Sequence, residues 1–447
     1  MGITIVQKSN LSERKRKAKV ALVLAGGAVT GGGFKLGGLK ALDDFLVNRK
    51  TTDFDTYVGL SAGAVLSAPL AAGVSPAEMM RSLAGESEHF SPLQAWDFYY
   101  PNLREFLSKP AQFALDVACY LPNLLADVLR SLPRLKLELE DSLDRVWKKP
   151  SVKNLQAALA PIGTLLAKQR GLPSPLDYLP SGLFDNSPIE RYLRRNFEAA
   201  GMPNDFVGLY RRTGKELYIS AMNLDTAERV VFGHDEDTSL TISEAVQAST
   251  ALPGFYKPAR IRGVDYVDGG VRRTANIDVA IEHGADLVIC YNPFRPFNNR
   301  VRRIRENGTY RMEGKPLADM GLFTVINQVF RTLLHSRLQY GLRQYQDDPN
   351  FRGDIVVIEP QETDLHFFEL SALAFWQRVA AANHGYISVS ESIEHNYDLI
   401  KQILASYGIS MTRKQVRAGV ERIREAGEEE ASPVLTEESP RRQLHVA

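Results

Sequence analysis

The feature of this chain that most limits its possible folds is a short apolar run that leads directly into a glycine-rich loop. Residues 19–24 (KVALVL) are rich in β-branched and apolar side chains, as expected for a strand buried in a parallel sheet. The next nine residues, 25–33, include five glycines, and residues 37–46 then place leucines at helical spacing. A strand, a glycine loop and a helix in this order predict the first unit of an α/β fold.

A serine follows at the end of a second predicted strand. Residues 54–60 (FDTYVGL) have the pattern of a strand, residues 62–72 (AGAVLSAPLAA) that of a helix of small residues, and Ser61 lies between them in a G-x-S-x-G sequence. A serine on such a sharp turn has an exposed hydroxyl, and the flanking Gly59 and Gly63 remove side chains that would clash there. The dipole of the following helix favours the negative oxygen that forms during attack. The pattern predicts that Ser61 is a nucleophile.

The glycine-rich loop exposes backbone N–H groups that can hold an anion, and three functions compete for it. A phosphate-binding P-loop requires Ser or Thr after its lysine, whereas the residue after Lys35 is a leucine. A dinucleotide fingerprint requires glycine at its third position, where this loop has Ala28. An oxyanion hole requires only a few donors. The candidate donors are the amides of Gly26, Gly27, Ala28 and Gly31.

A carboxylate stands at the end of another predicted strand, in the sequence YVDGG of residues 266–270. Asp268 is followed by Gly269 and Gly270, and Asp-Gly is a common turn pair. Taken alone, these residues favour an ordinary Asx turn over a catalytic carboxylate.

The three motifs in this order resemble the patatin-like phospholipases. Other stretches are similar to that family as well, namely residues 22–42, 221–226, 242–258 and 266–289. The loop departs from the family's usual G-G-G-x-[RK]-G at two positions, with Ala28 in place of the third glycine and Thr30 at the basic position. The resemblance covers residues 19–72 and 181–295, with weaker likeness beyond.

The resemblance implies a three-layer α/β fold with a mostly parallel sheet, helices on both faces and a helical insertion. It also implies a catalytic dyad without histidine, in which Asp268 accepts the proton of Ser61 as the serine oxygen attacks a lipid ester. The loop amides then stabilise the oxyanion, and water activated by Asp268 releases the acyl group. This chemistry requires no metal or organic cofactor. The implied function is a lipid acyl hydrolase of phospholipase A or lysophospholipase type.

Three alternatives stay open from the sequence. A Ser-Asp-His α/β-hydrolase would also carry its nucleophile in G-x-S-x-G, with His384 or His366 as the base, although such folds place several strands before the serine. A dinucleotide-binding oxidoreductase would leave Ser61 and Asp268 unexplained. A catalytically weak, lipid-binding member of the family would explain the two departures in the glycine-rich loop.

Composition places the chain among ordinary globular proteins and argues against several classes of partner. The formal net charge of +1 over 447 residues gives no overall field that would select nucleic acid. Two cysteines, Cys119 and Cys290, cannot form a disulfide framework and indicate a reducing compartment. No window has the apolar length of a membrane span, and the N-terminus lacks the order of a secretory signal. We therefore expect a cytoplasmic protein, and the implied lipid substrate would bring it into transient contact with a membrane surface.

Changes in composition along the chain predict its organisation. Residues 1–18 end in a basic run and are expected to form a flexible arm, before a hydrolase domain at residues 19–400. Within that domain, residues 90–180 are rich in Leu, Pro and aromatic residues and predict a helical insertion. Its apolar stripes are either the packed faces of its own helices or a cover that contacts lipid beside Ser61. Residues 401–447 are expected to comprise a helix and a polar, disordered tail.

Overall fold

The computed structural model describes residues 2–15, 17–119, 147–148, 175–306, 309–427 and 433–440. The chain divides into two compact units. The larger unit comprises residues 1–100 and 184–447, and it contains every candidate site residue. The smaller unit comprises residues 101–183.

A mostly parallel sheet forms the centre of the larger unit. The described strands are β1 (Ile3–Gln7), β2 (Val20–Leu24), β3 (Thr56–Gly59), β4 (Gly182–Phe184), β5 (Glu216–Asn223), β6 (Arg229–Phe232), β7 (Gly254–Tyr256), β8 (Ala259–Ile261), β9 (Val264–Asp268), β10 (Leu287–Tyr291), β11 (Arg302–Glu306), β12 (Thr309–Glu313) and β13 (Asp354–Ile358). In this described part of the chain, nine strands pair in the order β1-β13-β10-β2-β3-β5-β9-β8, with β6 also paired to β5. The strands from β13 to β5 run parallel, and the outer strands join them antiparallel.

The central strands are buried on both faces, as their apolar sequences require. All residues of β2 and β10 are buried. Because successive side chains of a strand point to opposite faces, Leu22 belongs to one hydrophobic core and Val23 to the other. Helices contribute to both cores, which confirms the α/β fold with helices on both faces of the sheet.

The helices of the larger unit connect the strands and cover the sheet. They are α1 (Ala28–Phe45), α2 (Ala62–Ala71), Pro76–Ala84, Ala95–Phe98, Ser187–Ala199, Phe206–Thr213, Ile242–Thr250, Ile277–Glu282, Leu322–Asp347, Leu365–Glu369, Arg378–His395, Tyr397–Ser406, Lys414–Ala426 and Pro433–Thr436. Helix α1 packs closely against the helix Arg378–His395, where a Cβ at Gly37 would overlap the carbonyl oxygen of Ala382. Glycine at this position lets the two backbones approach each other.

The strand order places the candidate site at one end of the sheet. From β2 the chain continues to β3 on one side, whereas β10 on the other side of β2 continues to β13. Open α/β sheets bind ligands at the carboxyl ends of their strands beside such a reversal of order. The glycine-rich segment follows β2 and Ser61 follows β3, so both lie at this end.

The two ends of the chain differ from the sequence prediction. Residues Ile3–Gln7, expected within a flexible arm at residues 1–18, form β1 and pair with β13, with Ile3 opposite Ile358. Three β-branched apolar residues in this segment gain burial at the sheet edge, a tertiary effect without a local signal.

The predicted disordered tail is also partly ordered. The helix Pro433–Thr436 buries Val434 and Leu435, and the Ser439 hydroxyl donates a 2.6 Å hydrogen bond to Asp44. The short apolar pair in an otherwise polar segment accounts for this packing. Residues 428–432 and 441–447 lie outside the described residues.

The smaller unit contains part of the predicted helical insertion. Residues 103–119 are helical, and the Tyr178 hydroxyl donates a 2.5 Å hydrogen bond to Asp116. Residues 120–146 and 149–174 lie outside the described residues, so the contact of this segment with lipid stays a prediction. Among the residues that the structure does describe, no helix has the length and apolar character needed to cross a bilayer.

Candidate active site

Ser61 occupies the sharp turn that its sequence predicts. It lies between β3 and α2 with φ of 54° and ψ of −127°, a conformation that L-residues rarely adopt. A Cβ at Gly59 would overlap the Ser67 hydroxyl, and one at Gly63 would overlap the carbonyl oxygen of Leu24. The two glycines of G-x-S-x-G are therefore required by close packing around the turn.

A second serine supports this turn. The backbone N–H of Ser61 donates a 2.8 Å hydrogen bond to Oγ of Ser249, a fully buried residue in the helix Ile242–Thr250. The N–H of Leu60 bonds the carbonyl oxygen of Leu24 at 3.0 Å. A strained backbone persists only when surrounding contacts hold it, and these bonds provide that support. Ser249 lies in a stretch that resembles the family, but the sequence assigned it no role.

Strand pairing brings Asp268 level with Ser61. Gly59 of β3 lies opposite Ile219 of β5, and Ala221, two residues further along β5, lies opposite Asp268 of β9. The Ser61 side chain lies close enough to the Asp268 carboxylate to act on its pKa. Both residues are buried, with 7% and 4% of their surface exposed.

The environment of Asp268 shifts the pKa of its carboxyl group towards neutral pH. Burial raises the pKa of the Asp268 carboxyl to about 6, while hydrogen bonds from Ser61 and the Gly270 N–H and the charge of Lys35 act to lower it. A base with this pKa is largely ionised at pH 7 and still binds a proton readily during a reaction.

The Asp-Gly-Gly turn orients the carboxylate. The N–H of Gly270 donates a 2.8 Å hydrogen bond to Oδ1 of Asp268, so the ordinary Asx turn is present as well. A Cβ at Gly269 would lie 2.8 Å from the carbonyl oxygen of Ser220 and 2.9 Å from the Leu60 side chain. The turn and the contact with Ser61 coexist, and the turn leaves the carboxylate facing the serine.

The glycine-rich segment is a shorter loop than the sequence suggested. The helix α1 begins at Ala28, so the three glycines at residues 31–33 are helical. The N–H of Gly31 donates a 2.9 Å hydrogen bond to the carbonyl oxygen of Gly27. The N–H of Gly31 is thus already used within the helix, which argues against the predicted role of Gly31 as an oxyanion donor.

Three backbone amides at the start of α1, the N–H groups of Gly26, Gly27 and Ala28, have no acceptor among the described residues, whereas those of the next two residues bond Ala372. A Cβ at Gly26 would lie 3.4 Å from the Cβ of Ser61, so the loop is directly beside the serine. The N-terminal dipole of the 18-residue α1 adds partial positive charge at the same place.

Ala28 has a strained backbone. Its φ is 51°, in the left-handed region that favours glycine. An L-residue in this region costs about 1–2 kcal/mol. The strain falls at the position where the resembled family usually has glycine, and on a residue whose N–H is a candidate donor.

Lys35 is a site residue whose role the sequence analysis missed. Its side chain is buried, and Nζ donates hydrogen bonds to the carbonyl oxygens of Ala25 and Gly26, the second at 2.7 Å. In a trans peptide the C=O and N–H point in opposite directions, so these bonds turn the N–H groups of Gly26 and Gly27 away from the lysine. Burial lowers the pKa of Lys35 to about 7, while the charge of Asp268 acts to raise it. No pattern in a single sequence shows that a lysine is buried.

An apolar cavity lies against Ser61. It has a volume of about 740 Å³, counted with its opening to solvent. A second apolar cavity of about 580 Å³ adjoins it and shares part of its wall, formed by Leu36, Val65, Leu66, Leu83 and Leu93. The apolar lining of both cavities suits the hydrocarbon chain of a lipid.

The histidines considered for a triad have other contacts. Nε2 of His384 lies 2.8 Å from the Asp364 carboxylate, and its ring lies 4.8 Å from that of His366. The titratable group that Ser61 influences is Asp268. The Ser-Asp-His arrangement therefore gains no support from the described residues.

A known protein family matches the part of the chain that contains these site residues. The sequence model of the patatin family, described as patatin-like phospholipase, matches residues 22–281, which is more than half of the chain. The chain belongs to the patatin-like phospholipase family. The matched segment includes the Ser61 turn, the glycine-rich segment with Lys35, and Asp268.

Individual relatives in this family are distant. The chain is 25% identical over 104 residues to "Probable lipid hydrolase 463L" of Invertebrate iridescent virus 6, covering 23% of this chain and 36% of the viral protein. It is similar to the structure of VipD from Legionella pneumophila, with 19% identity, a TM-score of 0.29, and 67% of this chain and 54% of that chain covered.

It is also similar to a chain in the structure of SpcU in complex with ExoU, from the type III secretion system of Pseudomonas aeruginosa. Here the identity is 18% and the TM-score 0.26, with 94% of this chain and 64% of that chain covered. This patatin-like chain therefore spans about a third of the viral relative and less than two thirds of either structural relative.

Proposed function

We propose that the chain is a lipid acyl hydrolase of phospholipase A or lysophospholipase type, with Ser61 as nucleophile and Asp268 as general base. The observation that carries the proposal is that strand pairing places the buried Asp268 carboxylate beside the Ser61 side chain, next to an apolar cavity. Membership of a phospholipase family supports the same class of reaction. Since such substrates reside in lipid aggregates, transient contact with a lipid surface is part of the proposal.

The first half of the reaction forms an acyl-enzyme. The Ser61 oxygen attacks the ester carbonyl carbon while its proton passes to Asp268. Negative charge develops on the former carbonyl oxygen, where the N–H groups of Gly26, Gly27 and Ala28 can stabilise it. The tetrahedral intermediate collapses, the bond to the alcohol oxygen breaks, and the alcohol leaves with the proton from Asp268.

The second half restores the enzyme. Asp268 takes a proton from water as the water oxygen attacks the acyl-enzyme carbonyl, and the same amides stabilise the second oxyanion. Collapse breaks the bond to the Ser61 oxygen, which regains a proton from Asp268, and the fatty acid is released. One carboxylate therefore serves as base and acid in both halves.

Two assays test this proposal together. A fluorophosphonate probe should label Ser61, and the protein should release fatty acid from a panel of diacyl phospholipid, lysophospholipid and monoacylglycerol. Ser61→Ala should lose labelling and acyl release, whereas Ser239→Ala, which changes an exposed serine, should keep both. Labelling of Ser61→Ala at the wild-type rate would refute the assignment of the nucleophile.

A further inference from the structure

A cation lines the apolar cavity beside Ser61. Arg378 is the first residue of the helix Arg378–His395, and it carries the only formal charge among the described residues that line this cavity. The rest of the wall is apolar apart from hydroxyl groups, including those of Thr250 and Tyr256. A cation in such a setting is costly unless an anion or hydrogen-bond acceptors accompany it.

The guanidinium of Arg378 is held in one orientation. Nη1 donates to the carbonyl oxygen of Phe375 at 3.1 Å, and Nη2 donates to that of Leu83 at 3.3 Å. The guanidinium carbon lies 3.9 Å from the centre of the Phe375 ring. The backbone is fixed as well, since a Cβ at Gly33 of α1 would overlap the carbonyl oxygen of Arg378. These contacts therefore fix the position of the Arg378 charge relative to α1.

Within the described residues, the Nε donor of Arg378 has no protein partner, and no carboxylate neutralises its charge. Nε is buried and has no acceptor among the described residues. Within that same part of the chain no carboxylate forms an ion pair with Arg378, whereas Arg81 pairs with both Glu78 and Glu438. Burial lowers the pKa of the Arg378 guanidinium, but arginine stays protonated in proteins. The cavity wall therefore offers a fixed, unpaired positive charge to a ligand.

We propose that Arg378 binds the anionic phosphodiester of a phospholipid whose acyl ester lies at Ser61. This inference rests on the proposed function and deepens it, since it names the headgroup class and the residue that selects it. A phosphodiester supplies the negative charge and acceptor oxygens that the Arg378 site lacks, and the acyl chain fills the apolar part of the cavity. A neutral glyceride fills the same space but leaves the guanidinium unpaired.

The test compares two substrates that share an acyl chain. Lysophosphatidylcholine and monoacylglycerol are presented in mixed micelles of one neutral detergent, and kcat and KM are measured for each. Arg378→Gln should lower kcat/KM for lysophosphatidylcholine about tenfold to a hundredfold, as loss of a hydrogen bond to a charged group does, mainly through KM. The value for monoacylglycerol should change little. Arg378→Lys should keep part of the preference for lysophosphatidylcholine over monoacylglycerol. Lysine keeps the positive charge but lacks the planar guanidinium that can donate two parallel hydrogen bonds.

Arg352→Gln is the matched control. It removes the same charge from an exposed residue that precedes β13, at the opposite end of the parallel sheet from Ser61, and should leave both substrates unaffected. Thermal unfolding of each variant reports whether it is folded. An equal loss on both substrates in a folded Arg378→Gln enzyme, without rescue by lysine, would show a merely structural role. No loss on either substrate would also overturn the proposal.

Competition experiments on the wild type identify the anion. Dodecylphosphocholine, dodecanoate and dodecanol, all below their micellar concentrations, compete with hydrolysis of a soluble p-nitrophenyl ester. Dodecylphosphocholine should inhibit most strongly, and its advantage over dodecanol should disappear in Arg378→Gln. If Arg378→Gln weakened inhibition by dodecanoate alone, the site would hold the fatty acid product. That result would overturn the proposal. Absence of Ser61 labelling and of ester hydrolysis would instead refute the proposed function, on which the inference rests.

Discussion

Nζ of Lys35 lies 2.7 Å from the carbonyl oxygen of Gly26, in a position almost without solvent exposure. The same ammonium donates to the carbonyl oxygen of Ala25. One side chain therefore orients two consecutive peptide groups beside Ser61, and directs the N–H groups of Gly26 and Gly27 to the other side. Under the proposed mechanism, oxyanion stabilisation depends on this lysine as a positioning residue.

Replacing Lys35 by Met should lower turnover about a hundredfold or more, the usual effect of losing one oxyanion donor. KM should change less, because the lysine does not line the cavity. Lys40→Met is the control, since Lys40 is also a buried lysine of α1, but its Nζ pairs with Asp44 at 2.7 Å. That control should lower the free energy of unfolding and leave the turnover of the folded enzyme intact.

The pH profile of Lys35→Met distinguishes a loss of the lysine charge near Asp268 from a general loss of structure. The charge of Lys35 acts to lower the pKa of Asp268, so Lys35→Met should move the acid limb of kcat/KM to higher pH. Lys40→Met should not move it. Normal turnover and an unshifted acid limb in a folded Lys35→Met enzyme would contradict this role.

The wild-type enzyme should lose activity as the pH falls through about 6, where Asp268 takes up a proton. Its pKa in the folded protein lies above the ordinary 3.8, so the folded state binds the proton more tightly. Asp268 therefore contributes stability that is fully present below about pH 4 and is lost as the pH rises through about 6. The difference in free energy of unfolding between wild type and Asp268→Asn should change across this window.

Taking the difference between wild type and Asp268→Asn also cancels the pH dependence of stability that a second buried carboxyl group contributes. Burial raises the pKa of Asp43 to about 6 as well, and this group is present in both proteins. A difference that stays constant between pH 4 and 6 would contradict the raised pKa of Asp268.

Ala28→Gly should stabilise the protein by about 1 kcal/mol, because glycine adopts the left-handed conformation without the strain of an L-residue. Activity should persist, since the N–H at position 28 is kept. Ala227→Gly is the matched control, because Ala227 has φ of 56° in an exposed turn. Both variants should raise the melting temperature measured by circular dichroism. Destabilisation by Ala28→Gly alone would show that the methyl group has a packing role that outweighs the strain.

Proline at position 28 is a less direct test of the same amide. It removes the N–H, but its ring requires φ near −65°, whereas Ala28 has φ of 51°. A folded variant would therefore have a rearranged loop, and lost activity could not be assigned to one donor.

Local sequence patterns were sufficient for the parts of the site that form within one strand–turn–helix unit. The apolar run before the glycines, the small residues around Ser61 and the Asp-Gly-Gly turn each have a conformation determined by nearby residues. Only the family resemblance predicted that these parts come together in space. Asp268 lies beside Ser61 because β9 pairs with β5 and β5 pairs with β3, and these are contacts between residues far apart in sequence.

Other features depend on tertiary contacts that a single sequence does not show. Lysine and arginine are usually exposed, so the burial of Lys35 and the unpaired Nε of Arg378 have no sequence signal. The start of α1 at Ala28 was hidden because glycines favour a loop by propensity, and packing against the helix Arg378–His395 overrides that preference. For the same reason, the helical hydrogen bond of the Gly31 N–H was not anticipated.

The measurement that tests the central claim most directly is acyl release by Ser61→Ala, Asp268→Asn and the double variant, each confirmed as folded. The account predicts that each single change removes nearly all activity and that the double variant is little worse, because a nucleophile and its base act as one unit. Substantial activity in Asp268→Asn, together with loss of activity in His384→Ala, would contradict the dyad and favour a histidine base.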